Sequence, residues 1–293
     1  MMVLKTHIVH ALEDEIRFVD YIIGVFQGFE TKNAVKTGIK KHRFVINGKD
    51  ATTGIWMKTG DVVELLERSE KPTAYDKKIE IVFEDNYLAV VNKPAGLPVS
   101  GNQFKTLENC LVDQLTLSST EDALGWALPI HRLDAPTSGL IVFAKTISAR
   151  RKLGEMLEQK SINKHYHAIL HGIPAEGRIN SPIDSKEAIS ELAVVRSVGS
   201  PKNGHLSLVR LTPITGRTHQ LRIHCLSIGN AIAGDKKHTN ENGTFRNKGL
   251  FLAATELEFE HPMSGESLRI QIPLPNKFTS LLERESKRAE RLL

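Results

Sequence analysis

Cysteine is almost missing from this 293-residue chain. Cys110 and Cys225 stand alone without a CxxC pair, so neither a disulfide framework nor a cysteine-based metal site is expected. Long apolar runs are missing too. No stretch approaches the roughly 18 uncharged apolar residues that a membrane span needs. The opening MMVLKTHIVHALEDE has neither an apolar core nor a small-residue cleavage site, so secretion is not indicated. Nor is there a large excess of one charge: 39 Lys and Arg stand against 34 Asp and Glu, a net +5 with a pI near 9.1. What is present is ordinary globular composition, 40% hydrophobic and 25% charged, enough for a sizeable core. The length suggests two domains. A mildly basic cytoplasmic protein without a membrane partner is the expectation.

The basic residues are concentrated. Lys32 to Lys49 holds Lys32, Lys36, Lys40, Lys41, Arg43 and Lys49 with no acid. Leu192 to Gly234 holds Arg196, Lys202, Arg210, Arg217 and Arg222, again with no acid. Two such stretches in a nearly balanced chain suit surfaces facing a polyanion, although either could be a solvated face balanced across the fold.

Residues 13–68 read as one small unit. Phe18, Ile22, Val25 and Phe26 form a helical stripe. Thr31 suits the N-cap of a second helix, which Gly38 is expected to break. FVINGKD reads as a short strand entering a hairpin turn at Asn47-Gly48, and VVELLE closes it as a second strand after the Gly60-Asp61 turn. The polar stretch within 69–78 reads as a linker. From Ile79 to about residue 276, hairpins outnumber strand-helix-strand units. An α+β fold with a mixed or antiparallel sheet is therefore expected beside the small α/β unit. Ser148 is the expected cap of a helix carrying Leu153, Met156 and Leu157. Residues 277–293 read as a solvated helical tail.

Three segments hold the candidate chemistry. HRLDAPTSG at 131–139 is a polar turn between apolar strands, where a scaffold can present Arg132 and Asp134 rigidly. An isolated turn Asp is ordinarily a cap, so the loop alone assigns no reaction. KHYHAILHG at 164–172 starts a strand with Tyr166, a position that usually packs a core. In TGRTHQLRIHCLSIG at 215–229, Thr218 suits an N-cap, and Leu221, Cys225 and Ile228 form a stripe ended by Gly229. Arg222 stands beside that stripe and would need a carboxylate partner if buried. His219 and His224 are five apart, which suits no helical ligand pair, so no metal site is expected. GNAIAGDKK is no phosphate loop, because Asp235 stands where a lysine would be required.

Together and in this order, HRLDAPTSG, KHYHAILHG and ITGRTHQLRIH resemble the RluA-type RNA pseudouridine synthases. NKPAGLPV at 92–99 and LFLAATELEFEHP at 250–262 resemble that family's flanking motifs. The small unit is similar, more weakly, to the S-four-like RNA-binding domain, through Arg17, Asp20, VINGK and KTGDVVEL.

The resemblance implies an isomerase that detaches uracil from its ribose, rotates it and rejoins it through carbon, with no cofactor. It assigns Asp134 to the anomeric carbon, as nucleophile, charge stabiliser or base. Arg222 becomes its ion-pair partner and Tyr166 the aromatic that stacks on the target base. His131, Arg132 and Thr137 in the first motif, and Arg217, His219 and Gln220 in the third, become substrate contacts. In the small unit, Lys36, Lys40, Lys41, Arg43 and Lys49 become RNA contacts. His238 departs from the family, which often has tyrosine there. RNA is the implied partner of a monomeric enzyme. Large-subunit ribosomal RNA is the expected target, because the leading RNA-binding domain is commoner there. Transfer RNA is the alternative, and a non-catalytic RNA-binding assembly factor or a nucleoside glycosidase the rival classes.

Overall fold

The computed structural model describes residues 3–12, 14–66, 71–101, 103–239, 245 and 248–292. The chain divides into two compact units, Met1–Lys71 and Pro72–Leu293. Of the expected unit and linker bounds, Glu13, Arg68, Ser69 and Glu70 lie outside the described residues.

The first unit comprises β1 (Val3–Ile8), α1 (Phe18–Tyr21), α2 (Lys32–Lys40), β2 (Phe44–Ile46), β3 (Lys49–Asp50) and β4 (Val62–Leu66). Its antiparallel sheet runs β1-β4-β2-β3. β1 precedes the expected start at residue 13. VLKTHI carries no clean alternation and is fixed as a strand by pairing with β4. The stripe from Phe18 holds as burial, since Phe18, Ile22 and Phe26 join Phe29, Val35, Phe44 and Val63 in the core, whereas Val25 is exposed. Regular helix within it is confined to α1. Thr31 caps α2 by accepting from the Ala34 amide at 3.2 Å. Gly38 does not break this helix. A Cβ there would stand 2.6 Å from the Phe29 and Phe44 rings, so glycine permits close packing rather than termination. Asn47 and Gly48 both adopt positive φ, the requirement of a two-residue type I′ turn joining β2 to β3.

The second unit comprises β5 (Glu80–Glu84), β6 (Leu88–Lys93), α3 (Leu107–Leu111), β7 (Ala123–Pro129), β8 (Ser138–Thr146), α4 (Ile147–Glu158), β9 (Asn163–His171), β10 (Gly177–Asn180), β11 (Ile189–Ser200), β12 (Gly204–Pro213), α5 (Gln220–Ser227), β13 (Leu252–Glu260), β14 (Ser267–Gln271) and α6 (Asn276–Glu290). A ten-stranded sheet runs β10-β11-β12-β9-β13-β8-β6-β5, with β14 on β13 and β7 on β8. The mixed α+β architecture is as expected. Its pairs are antiparallel except β13 with β8, which align Ala253 with Ser138 and Ala254 with Gly139. At that crossing Gly139 has φ near 114° and a Cβ would overlap the Ala254 carbonyl, so only glycine fits.

Three expectations are corrected. Thr146, not Ser148, caps α4, its hydroxyl accepting from the Ala149 amide at 3.1 Å, while the Ser148 amide donates to Asp122. Tyr75 to Ile79 do not run as open linker. The Tyr75 amide donates to the Asn109 carbonyl, and Gln114 bridges Lys77 and Ile79. The terminal helix is not solvated all round, since Phe278, Leu281 and Leu282 of α6 are buried with Ile169, Val198, Leu206 and Phe251. Acid and base spacing in that segment hid an amphipathic stripe. Among the described residues, no helix is long and apolar enough to cross a membrane.

Candidate active site

HRLDAPTSG spans the turn between β7 and β8, with Leu133 buried in the main core beneath it. The loop is tied down at several points. The Thr137 amide donates to the Asp134 carbonyl at 3.0 Å. The NKPAGLP turn clamps it from the end of β6. There the Gly96 amide and Lys93 Nζ both donate to the Ala135 carbonyl, at 2.7 and 3.0 Å. Lys93 is fully buried and also donates to the Pro94 and Leu97 carbonyls. Burial pushes its amine down to about 8, a shift that the Asp134 charge partly opposes. These anchors leave the Asp134 carboxylate at the loop's crest, about a fifth exposed at 22%.

α5 brings the counter-charge. Arg222 is buried on its first turn, and its Nη1 donates to Asp134 Oδ2 at 2.9 Å. The remaining side of the guanidinium is engaged by Asp235. Nε donates to Asp235 Oδ2 at 2.7 Å and Nη2 to Oδ1 at 2.8 Å, a bidentate pair with a fully buried carboxylate. The Lys237 and His238 amides also donate to Asp235 Oδ1. Burial alone would raise the Asp235 carboxyl, but the guanidinium and these amides outweigh it and hold the group below the usual carboxylate range. The Arg222 charge is held above its ordinary value by the same balance, desolvation being outweighed by both carboxylates. Asp134 Oδ1 accepts no hydrogen bond among the described residues. The result is an oriented carboxylate with one oxygen held and one open.

Tyr166 of β9 lies buried in the sheet between Leu211 and Ala254. Burial, and then the Asp134 charge, push its hydroxyl well above the usual phenol range, so it stays protonated. His219 heads α5 in the left-handed region, φ 56°, so it and not Thr218 occupies the cap position, without a side-chain cap bond. Its Nε2 is 3.8 Å from Asp134 Oδ2, and its Nδ1 is 2.8 Å from His238 Nε2. Burial lowers both imidazoles, with the Arg222 charge acting in the same direction.

Other expected contacts are directed elsewhere. Gln220 is buried and spends its amide on the scaffold: its oxygen accepts from Thr215 and the Arg217 amide, and its nitrogen donates to Ile189 and Ser190. His131 turns away from the crest and accepts from the Val142 amide at 3.2 Å through Nε2. Burial, then the Lys164 charge, push it down to about 3, so it is neutral. Thr137 is buried. Arg217 is exposed, with Nε donating to the Glu187 carbonyl. Arg132 is exposed beside Asp134 and makes no hydrogen bond or ion pair among the described residues.

In the first unit, Lys36, Lys40, Lys41 and Lys49 are exposed. Arg43 is half-buried instead, donating to the Leu66 carbonyl at 2.7 Å and lying over Phe29. His165, Glu256 and Glu258 bring possible ligand atoms within 4.8 Å of one another, but Arg210 and Arg269 already occupy these carboxylates.

Sequence reasoning overlooked Asp235 and Lys93. A signal for Asp235 existed: it is the first acid after the 43 acid-free residues that contain Arg222. Lys93 carried none, since a lysine in a short motif looks the same buried or solvated.

Known proteins resemble this chain in sequence and in fold. Residues 87–227 match the family model described as RNA pseudouridylate synthase. The dual-specificity RNA pseudouridine synthase RluA of Haemophilus influenzae is 35% identical over 208 residues, covering 65% of this chain and 90% of that protein. The ribosomal large subunit pseudouridine synthase C of the same organism is 31% identical over 317 aligned residues, covering 94% of each. Among solved structures, human RNA pseudouridylate synthase domain containing 4 superposes with a TM-score of 0.57 at 25% identity, over 70% of this chain and 92% of that one. The chain belongs to the RluA-type RNA pseudouridine synthases, isomerases that convert uridine in RNA to pseudouridine.

Proposed function

We propose that Asp134 is the group that acts at the anomeric carbon of the target uridine, and that the target lies in large-subunit ribosomal RNA. The observation carrying the first part is the Arg222–Asp134 contact at 2.9 Å, with Asp134 Oδ1 left open. Isomerisation breaks the N1–C1′ bond and forms a C5–C1′ bond; a proton leaves C5 and one arrives at N1. A carboxylate at C1′ serves the cleavage, and the buried guanidinium that donates to its Oδ2 holds it in place. Arg222 contacts Asp134 as a donor without neutralising the pocket, because Asp235 balances its charge.

A uridine within a stem must leave its stack to reach this loop, at a cost of a few kcal/mol. Exposed Arg132 enters the gap, and protonated Tyr166 packs against the extruded base. Basic side chains of the acid-free stretches follow the phosphates, giving salt-dependent affinity. Ribosomal RNA is favoured by the relatives named for the large ribosomal subunit, one of which aligns over 94% of this chain. A transfer RNA target is the second reading, favoured by the relative named as dual-specificity.

The test is to incubate the protein and its Asp134→Asn variant with unmodified ribosomal and transfer RNA transcripts, digest to nucleosides and quantify pseudouridine. The wild type forms pseudouridine in ribosomal RNA and the variant forms none, while RNA affinity changes by less than about tenfold. Retained turnover in the variant removes Asp134 from the chemistry. Modification confined to transfer RNA selects the second target.

A further inference from the structure

The small unit holds one aromatic side chain that its own core does not use. Trp56 is 49% exposed, although its neighbours Ile55 and Met57 pack against or within the core. The exposure is built in, not the fraying of a loose loop. Trp56 and Arg17 form an isolated antiparallel bridge. On either side of it the Phe18 amide donates to the Ile55 carbonyl at 2.8 Å, and the Met57 amide to the Ile16 carbonyl at 3.0 Å. Alternation along this extended segment sends Ile55 and Met57 inward and the indole outward. The guanidinium carbon of Arg17 lies over the indole, 5.1 Å from the ring centroid.

Charge continues from this pair. Asp20, one helical turn beyond Arg17, holds Lys32 at 2.6 Å. Lys32, Lys36 and Lys40 then recur every fourth residue along the exposed face of α2. The indole and guanidinium plane thus lie in the same unit as the lysine row, linked to its first lysine through Asp20, three residues beyond Arg17. Singly exposed apolar residues need no explanation. An indole held outward by backbone pairing and stacked by arginine, in a unit that also presents a lysine row, is a different case. The charge complements a polyanion, and the flat faces complement a base. A duplex keeps its base faces stacked inward, so the fitting partner is an unpaired nucleotide.

We propose that Trp56, backed by Arg17, is a stacking platform for one unpaired base of the RNA substrate, flanked by phosphates held on the Lys32–Lys36–Lys40 face. This rests on the reading that the chain acts on RNA, and it adds where and in what form the small unit meets that RNA.

The chain's two tryptophans make the test direct. Trp126 is buried and donates to Glu108 at 3.1 Å, so the red-shifted, solvent-exposed emission belongs to Trp56. The full chain is titrated with a single-stranded oligoribonucleotide and with a blunt-ended, fully paired RNA duplex of equal length. Single-stranded RNA quenches the red-shifted emission and the duplex does not. Trp56→Ala binds the single strand about tenfold more weakly, and Trp56→Phe recovers most of the loss, because the ring is what matters. Unchanged affinity in Trp56→Ala, or equal quenching by the duplex, overturns the platform. Pseudouridine formation by the wild type is measured in parallel. Activity without Trp56 quenching sinks the platform and leaves the enzyme reading standing. Trp56-dependent binding without pseudouridine on any transcript does the reverse.

Discussion

Asp235→Asn is the substitution that separates holding the buried Arg222 from the chemistry proposed for Asp134. Asp235 Oδ1 accepts from Arg222 Nη2, Lys237 N and His238 N, and Oδ2 accepts from Arg222 Nε at 2.7 Å. An asparagine must keep its oxygen on the three donors at Oδ1, which turns its amide nitrogen toward Nε. Two donors then face each other at 2.7 Å in a fully buried site, and a guanidinium loses its buried counter-charge. Breaking one partner of a buried ion pair costs about 3–5 kcal/mol. For a domain of this size each kcal/mol lowers the melting temperature by about 2–4 °C, so a fall of roughly 6–20 °C is expected. Asp134→Asn is the control. Asp134 is partly solvated and makes one bond to Arg222, which an amide oxygen still accepts, so its stability cost is about 1 kcal/mol. Thermal melting followed by circular dichroism, with pseudouridine formation on the same samples, gives the comparison. Asp235→Asn loses stability and, through a displaced Arg222, most of its activity; Asp134→Asn loses activity while its melting temperature falls by only about 2–4 °C. A melting temperature within about 2 °C of wild type for Asp235→Asn would refute the reasoning, because the bidentate contact would then carry no energy.

Gly139→Ala should be among the most damaging single-methyl additions. It combines a φ near 114° with overlap of the Ala254 carbonyl at the parallel crossing, each costing about 1–3 kcal/mol, and it disturbs the loop that carries Asp134. A urea midpoint equal to wild type would show that the crossing relaxes freely. Acid should destabilise the second unit through its histidines. His131 titrates near 3 in the folded chain and near 6.5 unfolded, so its contribution is complete above pH 6.5 and is lost as pH falls from 6.5 toward 3. His165, His167 and His224 shift in the same direction, chiefly by burial. Urea midpoints between pH 7 and 4 should fall more steeply for wild type than for His131→Gln; parallel slopes would remove His131 as a source.

The order of HRLDAPTSG, KHYHAILHG and ITGRTHQLRIH was legible in the sequence, and with it the reaction class, because each motif joins a turn or helix start to an apolar strand that must be buried. Asn47-Gly48 gave the β2–β3 turn, since a two-residue turn depends on neighbours in sequence. Gly38 was misread because its reason is two phenylalanine rings from other segments, not its own backbone freedom. β1 was missed because only its pairing with β4 makes it a strand.

By itself, then, the sequence determined which side chains are available and which local conformations they favour: an Asp in a rigid turn, an Arg beside an apolar helical stripe, and lysines at four-residue spacing. Tertiary structure alone decided their use. It sent His131 and Gln220 to the scaffold, set Lys93 under the loop as a clamp, and gave Arg222 two carboxylates, Asp134 from the β7–β8 loop and Asp235 beyond α5. Burial and electrostatic pairing depend on distances between segments far apart in the chain, 88 residues for Arg222 and Asp134. No local pattern encodes such a distance; the packing of the sheet sets it.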